Sequence, residues 1–162
     1  MKLLLAVDHS EVSRKAVRFV GQVLGPAGSG AVEITLYHVT ECLPEFITER
    51  TNKDDAFGKV NELWVTTQKT AGEQLLDACK ADLTAAGVPA EKIKRKLAEK
   101  EGLPEARRVI AALAIIEELK AGGYDIVAIG RRGSAAASGS FLGSVAEKIT
   151  REAAGKTVWI ID

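Results

Sequence analysis

The chain has 162 residues, and its 22 Lys and Arg balance its 22 Asp and Glu, so the formal net charge is zero. This balance argues against a broad basic surface for nucleic acid or an anionic membrane, but it leaves room for a small cationic site. Hydrophobic residues make up 46% and aromatic residues 5%, which is typical of a globular domain and argues against a base-stacking platform.

The first third of the sequence predicts two strands around one helix. Residues 2–7 form a continuous apolar run, which is typical of a strand buried on both faces of a sheet. Ser10 offers an N-cap for the following helix, and Gly25 with Pro26 predicts its end. The predicted buried face of this helix consists of Ala16, Val17, Val20, Val23 and Leu24. Residues 31–39 are rich in β-branched side chains and predict the second strand.

The middle of the sequence predicts a long helix and a charged strand. Residues 40–53 are polar and irregular, and a helix is expected from about Asp54. Its predicted core stripe consists of Trp64, Gln68, Ala71, Leu75, Cys79 and Leu83. Gly87 should end this helix in a left-handed conformation, and Pro89 prevents its continuation. Residues 92–98 predict a third strand that is rich in lysine and arginine.

The last third predicts two further helices and two strands. Pro104 fits the first turn of a helix that Gly122 and Gly123 should end. The predicted buried face of this helix consists of Val109, Ile110, Leu113, Ile116 and Leu119. The remaining elements are a strand over 125–129, a helix over 143–153 and a last strand over 157–161.

This alternation predicts a single α/β domain over 1–162, with an open parallel five-stranded sheet and helices on both faces. The purely apolar strands belong in its centre and the charged third strand at an edge, which gives the order 3-2-1-4-5. The first and fourth strands are then neighbours at the point where the winding reverses, where open sheets bind ligands. Asp8 and the loop that starts at Gly130 should therefore meet in one crevice.

The loop over 130–145 carries the strongest functional motif. Its frame consists of Gly130, Gly133, Gly143 and Ser144. Glycines let backbone N–H groups approach a ligand closely, and the helix that opens at Gly143 and Ser144 favours a phosphate at its positive end. Arg131 and Arg132 add local positive charge. The alternative is a flexible surface loop of small residues.

This frame resembles the G-x2-G-x9-G-[ST] signature of the universal stress protein family, in its nucleotide-binding branch. The similarity covers essentially the whole chain, including the VDHS end of the first strand, the YHV end of the second and the EGLPEA stretch at 101–106. The resemblance implies a Rossmann-like, adenine nucleotide alpha hydrolase-like fold. It also implies that the protein binds ATP or AMP, with or without Mg²⁺.

The resemblance also implies roles for individual residues. Adenine and ribose would be contacted by Ala6, Val7, Asp8 and Val39. Ribose and phosphates would be held by Gly130, Gly133, Gly143, Ser144 and Val145, with Arg131 and Arg132 as further candidates. On the residues alone, Asp8 could instead cap the following helix and Val39 could be plain core. Arg131 and Arg132 could both be solvated.

These patterns favour a cytoplasmic, adenine-nucleotide-binding regulatory protein of the stress response. No metal site is predicted, because the two cysteines and two histidines have no ligand-like spacing, and the apolar N-terminal run is too short for a signal peptide. No general base or nucleophile accompanies the loop, so at most slow ATP hydrolysis is expected. The alternatives are a nucleotide-independent interaction module and, more weakly, a hydrolase or transferase that uses His9.

The last strand predicts a homodimer. It is apolar and lies at a sheet edge in the proposed order, where an unpaired strand invites pairing with a second chain. The residues concerned are Val158, Trp159, Ile160 and Ile161, and the family resemblance implies the same interface. The alternative is that Trp159 is buried within its own subunit.

Overall fold

The computed structural model describes residues 1–25, 32–42, 56–101, 106–133 and 141–162. Strands and helices alternate along these ranges, as the sequence predicts. They are β1 (Lys2–Ala6), α1 (Glu11–Leu24), β2 (Glu33–Cys42), α2 (Ala56–Ala85), β3 (Ile93–Glu101), α3 (Arg107–Ala121), β4 (Ile126–Gly130), α4 (Ser144–Glu152) and β5 (Thr157–Ile161). A short 3-10 turn, Ala90–Lys92, leads into β3.

The five strands form one parallel sheet in the order β3-β2-β1-β4-β5, which confirms the predicted order. In the centre, Leu5 lies opposite Leu36 of β2 and Ala128 of β4. The prediction that residues 40–53 are irregular was wrong at its start. β2 continues to Cys42 because it pairs with β3 as far as Glu101, so the ladder hydrogen bonds extend the strand.

The core consists of two apolar layers, one on each face of the sheet. Successive side chains of a strand point to opposite faces, so Leu3 and Leu5 face one layer while Leu4 faces the other. The layer with Leu3 is completed by α1 and α2, through Val17, Val20, Leu76 and Leu83. The layer with Leu4 is completed by α3 and α4, through Ile116, Leu119 and Ile149.

The predicted helix boundaries hold where the structure describes them. Ser10 caps α1, since its Oγ accepts a hydrogen bond from the backbone N–H of Ser13 at 3.1 Å. Gly87 has a φ of 98° after α2, and Gly123 has a φ of 65° after α3, so both adopt the left-handed conformation that favours glycine. Pro26 and Pro104 lie outside the described residues.

The predicted buried faces were partly wrong. On α3, Val109 and Leu113 are exposed, and the buried side chains are Ala112, Ala114, Ile115, Ile116 and Leu119. Apolar residues surround much of this helix, so their periodicity alone does not determine which side faces the core. Packing against β2 and α4 selects the side that carries the two alanines. Val23 of α1 is likewise exposed.

The two leucines of α3 provide a matched test of this phase. Leu119 is 1% exposed and Leu113 is 42% exposed. Leu119→Ala should lower the free energy of unfolding by about 2–5 kcal/mol, because it leaves a cavity in the core. Leu113→Ala should cost less than about 1 kcal/mol, because little of its surface is buried. Urea denaturation of both variants checks this, and equal losses would contradict the observed phase.

Candidate functional site

A crevice opens at the carboxyl ends of β1, β2 and β4, at the topological switch point. It encloses a cavity of about 370 Å³. Every residue predicted for the site lines this cavity: Ala6, Val7, Asp8, Val39, Gly130, Arg131, Arg132, Gly133, Gly143, Ser144 and Val145. The structure therefore brings together, from three strands and one helix, residues that lie far apart in the sequence.

Asp8 links the start of α1 to the glycine loop. Its Oδ1 accepts hydrogen bonds from the backbone N–H of Ser10 at 3.0 Å and from Ser10 Oγ at 2.5 Å. Its backbone N–H donates to Ser13 Oγ at 2.9 Å. Its Oδ2 faces Gly133 so closely that a Cβ at Gly133 would lie 2.9 Å from it. Ser10 is thus the cap itself, and Asp8 orients that cap while presenting its carboxylate to the loop.

Val7 contributes its backbone to the protein's own hydrogen bonding. Its N–H donates to the carbonyl oxygen of Tyr37 at 2.9 Å, and its carbonyl oxygen accepts from Nδ1 of His38 at 2.8 Å. The N–H is therefore already used, and a ligand can reach only the second lone pair of the carbonyl or the apolar surface of this residue.

The loop after β4 is held by backbone contacts at both ends. The N–H of Arg131 donates to the carbonyl of Ile161 at 2.6 Å, and the N–H of Gly143 donates to the carbonyl of Arg131 at 2.9 Å. A Cβ at Gly143 would lie 3.2 Å from that carbonyl oxygen and 3.3 Å from Cα of Arg132. A side chain at this position would therefore force the neighbouring backbone of the loop to shift. Residues 134–140 lie outside the described part of this loop.

The start of α4 offers backbone donors to the cavity. Gly143 is the N-cap, and no side chain among the described residues caps the helix. The N–H of Glu147 is the first that bonds within the helix, to the carbonyl of Gly143 at 2.9 Å. The N–H groups of Ser144, Val145 and Ala146 precede it and line up at the positive end of the helix dipole. This arrangement suits an anion such as phosphate.

The two arginines of the loop are half-buried rather than fully solvated. The Nη2 of Arg131 lies 2.8 Å from Oδ2 of Asp162, and its guanidinium lies 5.8 Å from the ring centre of Phe141. The Nε atoms of Arg131 and Arg132 are buried and have no hydrogen-bond partner among the residues the structure describes. Both guanidinium groups therefore form part of the cavity wall.

Part of the cavity wall is apolar. Ala6, Val39, Leu142 and Val145 are partly buried against the core layer of α3 and α4, and the same four side chains line the cavity. The two interpretations of Val39 are therefore compatible, because it is a core residue whose remaining surface faces the crevice. Such a surface suits the flat, apolar face of a ring system.

His38 also lines the crevice and was not predicted as a site residue. It is 9% exposed, and its Nδ1 carries the proton that is donated to Val7, since a carbonyl can only accept. Its ring stands edge-to-face with that of His9, with centroids 5.6 Å apart. Burial lowers the pKa of His38, and the nearby His9 lowers it further, while the Val7 hydrogen bond and Asp8 oppose this. The ring is thus held neutral in one tautomer.

Several other lining residues were missed. They include Tyr37 and Thr40 of β2, Trp64 and Gln68 of α2, and Arg107, Arg108, Ala111 and Ile115 of α3. Trp64 and Gln68 were assigned to a core stripe, but this end of α2 faces the crevice. No local motif marks the residues of α3, because their position depends on how that helix packs.

The described ranges show neither a membrane-spanning helix nor a metal-binding cluster. No helix there is long and apolar enough to cross a membrane. In the same ranges, no group of three or more His, Cys, Asp or Glu side chains has a geometry that could hold a metal ion.

The sheet order and the crevice define an open α/β protein of the Rossmann-like, adenine nucleotide alpha hydrolase-like class. The sequence profile of the universal stress protein family matches residues 1–161. The chain therefore belongs to the universal stress protein family, which confirms the resemblance. No curated protein sequence matches the chain significantly.

Solved structures of the family share the fold at low sequence identity. Universal stress protein UspA from Lactobacillus plantarum is 14% identical with a TM-score of 0.71, covering 100% of this chain and 97% of that one. A universal stress protein in complex with cAMP is 18% identical, with a TM-score of 0.62 and coverages of 99% and 94%. A family protein from Arabidopsis thaliana with AMP bound is 17% identical, with a TM-score of 0.58 and coverages of 99% and 90%. At these identities the likeness establishes the fold alone.

The buried His38 should make stability depend on pH. Its pKa in the folded protein lies below the ordinary value of 6.5, so the unfolded chain binds the proton more tightly. The stability of the folded protein is therefore unaffected by the protonation of His38 above about pH 6.5, and it falls as the pH drops toward the pKa of His38 in the folded state. Urea unfolding of His38→Gln should show a smaller decline between neutral and mildly acidic pH than the wild type. His9→Gln, at the exposed mouth, should keep most of the decline, and equal slopes for wild type and His38→Gln would contradict the assignment.

Proposed function

We propose that the protein binds an adenine nucleotide, ATP or AMP, in the crevice and acts as a regulatory protein of the stress response. The observation that carries this proposal is the start of α4, where free backbone N–H groups face the same cavity as the Asp8 carboxylate and an apolar wall. Phosphate, ribose and base each require one of these three surfaces. The complexes of two family members with cAMP and AMP support the proposal.

Each part of the nucleotide has a chemically suitable partner. The phosphate next to ribose would accept hydrogen bonds from the N–H groups of Ser144 and Val145. A ribose hydroxyl would donate to Asp8 Oδ2, whose other oxygen is held by Ser10. The adenine would lie against Ala6 and Val39, where its face replaces water on an apolar surface.

Binding rather than efficient catalysis is the proposed activity. The described lining groups that could act as a base are held by other contacts, since Asp8 orients Ser10, Glu147 pairs with Arg151 and the neutral His38 donates to Val7. A general base must reach the attacking water with a lone pair and a suitable pKa. His9 lies exposed at the mouth, so we expect at most slow hydrolysis of ATP.

Gly143→Val should abolish nucleotide binding. The Cβ of a valine would meet the loop's own backbone at Arg131 and Arg132. The clash displaces the loop from the start of α4 and misaligns the donors. Isothermal titration calorimetry with ATP, AMP and GTP, with and without Mg²⁺, should give adenine-nucleotide binding for the wild type and none for the variant.

The matched control is Ala154→Val, an exposed site beyond the other end of α4. It should bind like the wild type, and circular dichroism should show that both variants remain folded. If the wild-type protein binds no adenine nucleotide at millimolar concentration, the proposal is contradicted. The nucleotide-independent interaction module is then the better interpretation.

We also propose that the protein forms a homodimer through β5. This strand lies at the sheet edge, and Ile160 is 37% exposed there. Trp159 is partly buried within its own subunit, where it stands edge-to-face with Phe19 at 6.0 Å. The burial of Trp159 leaves the backbone edge of β5 available, and pairing with a second copy would cover that edge together with Val158, Ile160 and Ile161.

Ile160→Lys should convert the proposed dimer into a monomer, because a charge in an apolar strand-to-strand interface loses its hydration. Light scattering at micromolar concentration measures the mass. Val60→Lys, at an equally apolar and 64% exposed position on α2, is the matched control and should leave the mass unchanged. A wild-type monomer under these conditions would refute the dimer.

A further inference from the structure

One side of α2 lines the crevice from outside the glycine loop. Trp64 and Gln68 are one helical turn apart, so they lie on the same side of the helix, and both line the cavity. Both residues are half-buried. Among the described residues, neither side chain has a hydrogen-bond or ring partner. The cavity wall thus contains an indole on which no described ring stacks.

A contact with β2 fixes the position of Trp64 along the crevice. Gly72, one turn beyond Gln68, lies against His38, since a Cβ at Gly72 would lie 3.0 Å from Cδ2 of that ring. Because α2 connects the parallel strands β2 and β3, it starts at the carboxyl edge of the sheet and runs back along it. At a rise of about 1.5 Å per residue, Trp64 lies about 12 Å from Gly72 toward that edge. The indole therefore lies over the carboxyl ends of the strands.

The cavity is lined from both faces of the sheet. Side chains alternate along β2, so His38 faces α2 while Val39 packs on the core layer of α3 and α4. β1 ends earlier than its neighbours, since β2 continues to Cys42 and β4 continues to Gly130. The gap beyond β1 therefore joins the two faces, with Trp64 on the side of α2 and the apolar side chains around Val39 on the other side.

The backbone of β2 turns a polar edge toward this gap. The carbonyl oxygen of Tyr37 accepts from the N–H of Val7 at 2.9 Å, so Tyr37 directs its backbone groups to the side of β1. Backbone direction alternates along a strand, so Val39, two residues further on, directs its N–H and carbonyl to the same side, beyond the end of β1. A flat ring that bonds to this edge lies in the plane of the sheet, with one face toward α2 and Trp64.

We infer that the base of the nucleotide is held between two walls, with one face against the apolar side chains around Val39 and the other stacked on the indole of Trp64. This inference rests on the proposed function. Stacking on an aromatic side chain stabilises a flat heteroaromatic ring and does nothing for ribose or phosphate. One tryptophan in this position is sufficient, although aromatic residues make up only 5% of the chain. Trp64 is thus a base-recognition residue supplied by α2.

Tryptophan fluorescence tests the contact directly, because the chain has two tryptophans, Trp64 and Trp159. Trp159→Phe leaves Trp64 as the only tryptophan, and titration with AMP or ATP should quench its emission, because a stacked base quenches an indole. Ribose 5-phosphate lacks the base and should leave the emission unchanged. Trp64→Phe is the matched control, because Trp159 then reports from β5 and should respond little to nucleotide.

Calorimetry provides a second test. Trp64→Leu should lose about five- to a hundredfold in affinity for AMP and for ATP alike, because the two nucleotides share the base. Trp64→Phe should keep most of the affinity, because it keeps an aromatic ring. Leu63→Ala changes a neighbouring residue of α2 that is 68% exposed and lies outside the described lining, so it should bind like the wild type. Circular dichroism should show that all three variants remain folded.

Three results would overturn the inference while leaving the proposed function standing. They are nucleotide binding without quenching of Trp64, equal quenching by ribose 5-phosphate, and an affinity of Trp64→Leu within about twofold of the wild type. A wild-type protein that binds no adenine nucleotide in the calorimeter would instead refute the proposed function, and this inference with it.

Discussion

The burial of β1 between β2 and β4 is the constraint on which the rest of the structure depends. Leu3, Leu4 and Leu5 are all fully buried, and they contribute to the core layers on both sides of the sheet. A strand in this position has parallel neighbours on both sides, so its carboxyl end fixes where the flanking loops meet. The crevice follows from this topology, because β2 and β4 reach the same edge and the helices that follow them begin there.

The hydrogen bonds around Asp8 connect that topology to the chemistry of the site. β1 ends two residues before Asp8, and the same carboxylate orients the cap of α1 and faces Gly133. His38 adds a second link, since it bonds to the carbonyl of Val7 from the neighbouring strand. These contacts hold the polar side chains of the crevice in place before any ligand arrives, so a ligand needs little further ordering of this part of the wall.

The sequence predicted the fold better than it predicted the faces of the helices. Strand character together with right-handed crossovers predicted the order, because the apolar runs of β1 and β4 suit the centre and β3 carries charges suited to an edge. The glycine frame and Asp8 could be found because their chemistry depends on local spacing. Leu113 and Val109 were assigned to the wrong face because α3 is apolar on several sides and tertiary packing decides between them. Arg107 and Arg108 were missed, since no local pattern marks a residue that reaches the crevice through helix packing. His38 lies in the YHV end of the second strand, but its burial and its bond to Val7 depend on strand pairing.

A neutral chain can still bring several arginines to one cavity, because net charge and the local distribution of charge are set by different parts of the structure. The lysines of β3 are neutralised along the sheet edge by pairs such as Lys94–Glu33 and Lys100–Glu117, and these exposed pairs add little to stability. They do keep the outer surface balanced, so the arginines gathered around two helix starts are not part of a wide basic surface. A local group of arginines gives little affinity for long polyanions, whose binding requires many contacts spread along a surface.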